Sequence, residues 1–211
     1  MDRLAIIADE IHQTFEARTN ARDKALSQAR TLTRHCANAI RSVHRNEFAD
    51  AEKQLDSASR IVESLQTELE PYPDLYFAGY TQDALKEYAE ASIVYSVINE
   101  KELPTPRELN LEDSSYLNGL AEAVGEFRRR CLDILRLGYS QEAERLLQQM
   151  DDIFAVLITM DYPNAITGGI RRQTDIARSI IERTRGDITL SLRQEHLEQS
   201  MAKLEQKLIN P

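Results

Sequence analysis

The run Lys86-Glu87-Tyr88-Ala89-Glu90-Ala91-Ser92-Ile93-Val94-Tyr95-Ser96-Val97-Ile98 decides the fold of this chain. From Ala91 onward it places apolar side chains almost all round a helix, so the segment is predicted to be a central buried element. Glu87 and Glu90, three positions apart, lie within about 60° of each other on that helix, and Asp83 joins their face. Glu90 is thereby carried inward. A carboxylate taken out of water costs several kcal/mol, roughly, unless it shifts its pKa, finds a cation or binds a metal.

Working outward, nearly every other segment carries the same period. Stretches rich in Ala, Leu, Glu, Gln and Arg run from about Asp2 to Arg45, Phe48 to Leu69, Thr81 to Glu100, Ser114 to Leu137, Ser140 to Met160 and Gly169 to Leu208. Alternating apolar runs bounded by turn signals are missing, so no strand competes. The breaks are punctuated by Asn46, Pro71 and Pro73, Pro104 and Pro106, Gly138, Pro163 and Gly168-Gly169. Short helical turns are expected at 74–79 and 106–109. The reading is an all-α fold, an antiparallel bundle of six or seven helices, because connections this short mostly join antiparallel neighbours.

With 211 residues, 7 Gly, 6 Pro and no Gly/Ser-rich linker, residues 1–211 are expected to form a single domain. The apolar run Leu4 to Ala8 is five residues long and meets Asp9-Glu10 at once, and the run Ile153 to Ile158 is also short. Neither suits a signal peptide or a membrane span. Cys36 and Cys131 lack metal-ligand spacing and read as buried, reduced thiols, which implies a cytoplasmic location. In the last segment, Leu197, Met201, Leu204 and Leu208 share one stripe that suits pairing with another subunit.

The net charge of -9 argues against a general polyanion binder, yet the 26 Lys and Arg residues can be concentrated locally. Arg30, Arg34, Arg41 and Arg45 fall within roughly a 60° sector of one helix face. Guanidinium groups at that pitch can contact successive phosphates, with small Ala37 and Asn38 beside them. The competing reading is a solvated face paired with Glu47, Asp50 or Glu52 of the next helix. Arg171, Arg178 and Arg185 form a second stripe, in which Arg178 and Glu182 are an i,i+4 pair.

Two oxygen-rich side chains on one face, Glu87 and Glu90, are a start for Mg²⁺ or Mn²⁺; alternatively Glu90 pairs with Lys86 or with an arginine of another helix. Glu122 and Glu126 are a like-charge pair on the flank of the Leu117, Leu120, Val124, Phe127, Cys131 stripe, with Arg129 and Arg130 near enough to offset them. Asp151-Asp152 interrupt the apolar helix Leu146 to Met160, Asp151 at the edge of its buried stripe. Glu87, Glu90, Glu126 and Asp151 thus place four acids on three helices that a bundle can bring together. No E-x-x-H occurs, which argues against a ferritin-like oxidase, and the phosphate-loop and nucleophile-elbow motifs are absent.

Arg34-His35-Cys36-Ala37-Asn38-Ala39-Ile40-Arg41, Lys86 to Ala91, Tyr116-Leu117-Asn118-Gly119-Leu120 running to Gly125-Glu126, and Asp161-Tyr162-Pro163-Asn164-Ala165 with Gly169-Ile170-Arg171-Arg172 together resemble the translin/Trax family, especially its prokaryotic members. The likeness covers most of the chain in order. It implies a translin-like helical bundle that assembles into hollow, roughly octameric homo-oligomeric shells binding single-stranded or short duplex RNA and also single-stranded DNA. The Trax branch it resembles is a Mg²⁺-dependent endoribonuclease; the translin branch mainly binds nucleic acid without cutting it.

Carried over on that resemblance, Glu87 and Glu90 match the paired Trax glutamates and Glu126 the acid of the Gly-Glu motif. The simplest register sets Ala155 where Trax has an aspartate, so Asp151, one turn earlier, is expected to supply that acid, with Asp152 in reserve. Glu87, Glu90 and Asp151 would then hold Mg²⁺ or Mn²⁺, Glu126 would serve as ligand or base, and Arg30, Arg34, Arg41 and Arg45 would hold the RNA backbone. The alternatives are a non-catalytic single-stranded nucleic-acid-binding oligomer and a helical scaffold with no nucleic acid.

Overall fold

The computed structural model describes residues 2–209; Met1, Asn210 and Pro211 lie outside the described residues. Among these, the chain forms eight helices and no strand. They are α1 (Asp2–His44), α2 (Phe48–Leu69), α3 (Pro73–Tyr76), α4 (Gly79–Ile98), α5 (Asp113–Leu135), α6 (Gln141–Leu157), α7 (Asn164–Thr167) and α8 (Ile170–Ile209). The six long helices are those the periodicity predicts, and α3 and α7 are single turns at proline-marked breaks.

The helix ends have local causes. Asn46, Gly138 and Gly168 follow α1, α5 and α7 with φ of 60°, 114° and 63°, the left-handed conformation that stops a helix and frees its last carbonyls for short turns. Ser140 accepts a hydrogen bond from the Glu142 N–H and so opens α6. The helical turn expected at 106–109 is a non-helical turn instead. Thr105 donates its backbone N–H and its hydroxyl to the Glu108 carboxylate, and Asn110 (φ 54°) reverses the chain before a second turn can form.

Helix α4 lies between α1 and α5, with α2 packed on α1 and touching α4, and with α6 and α8 packed on α5 and on each other. Every residue from Tyr88 to Ile98 is buried, because the all-round apolar surface of α4 meets helices on several sides. Leu32, Leu65, Leu85, Ile93, Phe127 and Met150 fill the layers around it, each side chain removed from water contributing about 1.5–3 kcal/mol. Cys36 and Cys131 are free and buried; burial raises both thiols, and Cys131 is pushed up to about 12.

Both long helices outrun the bundle. Residues 3–20 of α1 are exposed, including Leu4, Ile7, Ile11 and Phe15 on one face. The distal half of α8 exposes Leu197, Met201, Leu204 and Leu208, each by more than half of its surface. Among the described residues no helix is long and apolar enough to cross a membrane.

Candidate metal centre and arginine stripe

Glu87 and Glu90 extend from α4 and Glu122 from α5, and one carboxylate oxygen of each lies within 4.8 Å of the others. Helix α5 can come this close because Gly119, one turn before Glu122, carries no side chain where it crosses α4. Glu90 is only 9% exposed, and among the described residues it has no hydrogen-bond or ion-pair partner. Burial, and then the charges of Glu87, Glu122 and Glu126, push its carboxyl up to about 8. Burial raises Glu87 as well, against the pull of Lys86.

Lys86 does not pair with Glu90. Its Nζ lies 2.9 Å from Glu122 Oε1 and 3.9 Å from Glu87 Oε1. Its ammonium is instead taken up by the carboxylate of Glu122 on α5. From α8, the Gln173 Nε2 amide donates to the same Glu122 oxygen at 2.8 Å. Lys86 and Gln173 also line a cavity of about 450 Å³ between α4, α5 and the α7–α8 junction, together with Gln82, Ser114 and Asn118.

Glu126 sits one turn beyond Glu122 and turns toward α1. His44 Nε2 lies 2.6 Å from Glu126 Oε2, the ring N–H donating, and Arg129 comes to 3.6 Å of the same oxygen. The His44 hydrogen bond holds the Glu126 carboxyl below its ordinary range in spite of burial. His44 Nδ1 is buried and has no hydrogen-bond partner among the described residues.

Asp151 stands apart from the cluster. Arg185 Nη2 binds both of its oxygens, at 2.7 and 2.8 Å, across the α6–α8 contact. Asp152 is exposed and accepts from Gln148 at 2.9 Å. The acid that meets Glu87 and Glu90 is therefore Glu122, which the sequence marks only as the like-charged neighbour of Glu126. The spacing of Gly119 to Glu122 was the available signal, since a glycine inside a helix often marks a close approach and the residue one turn on shares its face.

Arg30, Arg34 and Arg41 are exposed along α1 and Arg45 in the turn that follows it, and among the described residues none is in an ion pair. Asp50 pairs with Lys53 at 3.3 Å and Glu52 with Lys101 at 3.4 Å, so these acids of the next segment are turned away from the stripe. Arg41 donates to the Asn38 side chain. Arg30 and Glu87 line one groove of about 260 Å³ between α1 and α4, with Tyr80 and Asp83, which joins the basic stripe to the acidic cluster. The second stripe is neutralised throughout: Arg171 by Asp161 at 2.6 Å, Arg178 by Glu182 at 3.3 Å, and Arg185 by Asp151 at 2.7 Å.

The order and packing of these helices are those of the C3PO proteins. AfC3PO, solved in complex with duplex RNA, superposes with a TM-score of 0.81 at 29% identity, covering 89% of this chain and 97% of that one. NeC3PO has the same fold, with a TM-score of 0.80 at 22% identity over 87% of this chain and 96% of its own. In sequence, the uncharacterized protein MJ0175 of Methanocaldococcus jannaschii is 31% identical over 214 residues, 97% of this chain and 94% of that protein. No family model matches the chain. The C3PO proteins are translin/Trax-like, and this chain belongs to the translin/Trax family.

Proposed function

We propose that the protein is an RNA-binding endoribonuclease, dependent on Mg²⁺ or Mn²⁺, that acts on single-stranded or short duplex RNA inside a homo-oligomeric shell. The observation that carries this reading is the convergence of Glu87, Glu90 and Glu122, with Glu90 buried and unpartnered among the described residues, at a groove that begins on an un-neutralised arginine stripe. The complex of AfC3PO with duplex RNA supports the nucleic-acid half.

The residues fit a hard divalent cation. Three carboxylates offer only oxygen donors; burial first, and then the charges of Glu87, Glu122 and Glu126, raise the Glu90 carboxyl, and a cation would relieve both the desolvation and the repulsion. Glu87, Glu90 and Glu122 would hold the ion, which when bound supplies a water of lowered pKa and polarises a phosphoryl oxygen. Arg30, Arg34, Arg41 and Arg45 hold the RNA backbone through phosphates, contacts that carry no base information. Arg30, at the mouth of the groove, sets one phosphate near Glu87. Glu126 has one oxygen committed to His44 and Arg129, which leaves Oε1 to accept a proton from a water. Asp151 would have to release Arg185 to take part.

The test is cleavage of end-labelled single-stranded and duplex RNA with Mg²⁺ and with EDTA, by the wild type and by the variant Glu87→Ala/Glu90→Ala. Cutting is expected only for the wild type with metal, and cutting that survives the double substitution overturns the proposal. The Asp151–Arg185 pair and Ala155 favour a second reading, a non-catalytic single-stranded RNA- and DNA-binding oligomer. It predicts retention of RNA on a filter with no product at any metal concentration.

A further inference from the structure

One cation already sits among the converging acids. Lys86 Nζ touches Glu122 at 2.9 Å and approaches Glu87 at 3.9 Å, so it contacts two of the three carboxylates and leaves the third, Glu90, alone. The other cations around the cluster are engaged elsewhere or lie on the far side of the groove: Arg129 faces Glu126, and Arg30 is exposed on α1. Gln173 fixes the same Glu122 oxygen from α8, so Glu122 is held from two helices in the orientation that points it at Glu87 and Glu90.

We propose that Lys86 is the resident counter-cation of this cluster, a positioning residue that holds Glu122 and Glu87 together before a divalent ion arrives and then competes with that ion for Glu122. The inference rests on the reading of the cluster as a divalent-ion site. An ion that takes Glu122 as a ligand displaces the ammonium from its shortest contact and then faces it as a like charge. The displaced ammonium has somewhere to go, since the flexible four-carbon stem of Lys86 borders the cavity of about 450 Å³ lined by Ser114, Asn118 and Gln173. Lys86 therefore does two opposed things. It lowers the repulsion among the acids in the metal-free protein, and it weakens the hold of the cluster on a cation.

Mn²⁺ titration by calorimetry of the full-length chain, stripped of metal, tests this with wild type, Lys86→Met, Lys86→Gln, Lys86→Arg, Glu122→Gln and Lys86→Met/Glu122→Gln. Removing the charge by either Met or Gln is expected to tighten Mn²⁺ binding about tenfold, while Lys86→Arg stays within about threefold of wild type. The gain is expected to shrink to about threefold or less when Glu122 is also replaced, because the shortest contact of Lys86 is then already gone and only its approach to Glu87 remains. In EDTA, Lys86→Met melts below wild type, and Mn²⁺ raises its Tm by more. Equal or weaker Mn²⁺ binding by both neutral variants, or a gain undiminished without Glu122, overturns the proposal while leaving the metal reading standing if wild type binds. If neither wild type nor the neutral variants take up Mn²⁺, the metal reading falls and this inference with it.

Discussion

A methyl group on Gly119 would lie 2.6 Å from Ala89 Cβ and 2.7 Å from the Lys86 carbonyl oxygen, so α5 crosses α4 at the contact where only a glycine fits. Glu122, one turn along α5, is thereby brought to Glu87 and Glu90. Gly119→Ala is expected to destabilise the protein by about 1–3 kcal/mol through forced separation of the two helices, although alanine favours a helix by about 1 kcal/mol. Gly125, in the same helix, has nothing within 4 Å of its would-be Cβ, so Gly125→Ala should be neutral or stabilising. Urea unfolding of the two variants measures the contrast. Equal midpoints would show that the α4–α5 contact is soft, contrary to this packing.

Burial keeps the Glu90 carboxyl near 8 in the folded protein, against an ordinary value of 4.5. A raised carboxylate pKa means that the native state holds a proton the unfolded chain has released, so stability falls as pH climbs from about 4.5 and levels off above about 8. Glu90→Gln removes that loss. Its stability relative to wild type should rise between pH 5 and pH 9 by an amount on the order of 3 kcal/mol, read from denaturant melts in metal-free buffer. Parallel pH profiles for the two proteins would mean that Glu90 is ionised and solvated at neutral pH.

The fold was legible because its signals are local. Tyr88 to Ile98 is apolar all round and is buried all round, and Asn46, Gly138 and Gly168 mark helix ends by backbone preferences that need no tertiary context. The acids were legible only where one helix decides the answer. Glu87 and Glu90 share α4, so their spacing alone sets them side by side. Which acid of α5 joins them depends on the crossing at Gly119 and on His44, a residue of α1 that turns Glu126 aside. Asp151 keeps its predicted place on α6, but its partner Arg185 comes from α8, and the angle between two helices is not written in the period of either.

The arginines divide into a free stripe and a neutralised one, and this distinction predicts different salt behaviour. Arg34→Ala/Arg41→Ala should weaken RNA binding and reduce the slope of log K against log salt by about 0.7 for each phosphate of a single strand that is no longer neutralised, with little change in sequence preference. Arg171→Ala/Arg178→Ala removes charges already paired with Asp161 and Glu182, so its slope should match wild type. Fluorescence anisotropy over a salt series reads both. A smaller slope in the second variant with none in the first would move the RNA path to α8.

The distal half of α8 repeats Leu197, Met201, Leu204 and Leu208 at spacings of 4, 3 and 4 residues, the seam that a second helix covers, and each side chain is more than half exposed in the single chain. Pairing of this seam between copies would bury it and would make α8 part of the contact between them. Leu197→Glu/Leu204→Glu is expected to lower the solution mass measured by light scattering, with the helical signal of the bundle retained, because the substituted positions lie beyond the core packed by Ile170, Ala177, Ile181 and Ile188. Gln199→Glu changes an exposed residue off the seam and should leave the mass unchanged. Should the double variant keep the wild-type mass, this seam does not carry association, and the stripe Leu4, Ile7, Ile11 and Phe15 of α1, also uncovered, is the next to substitute.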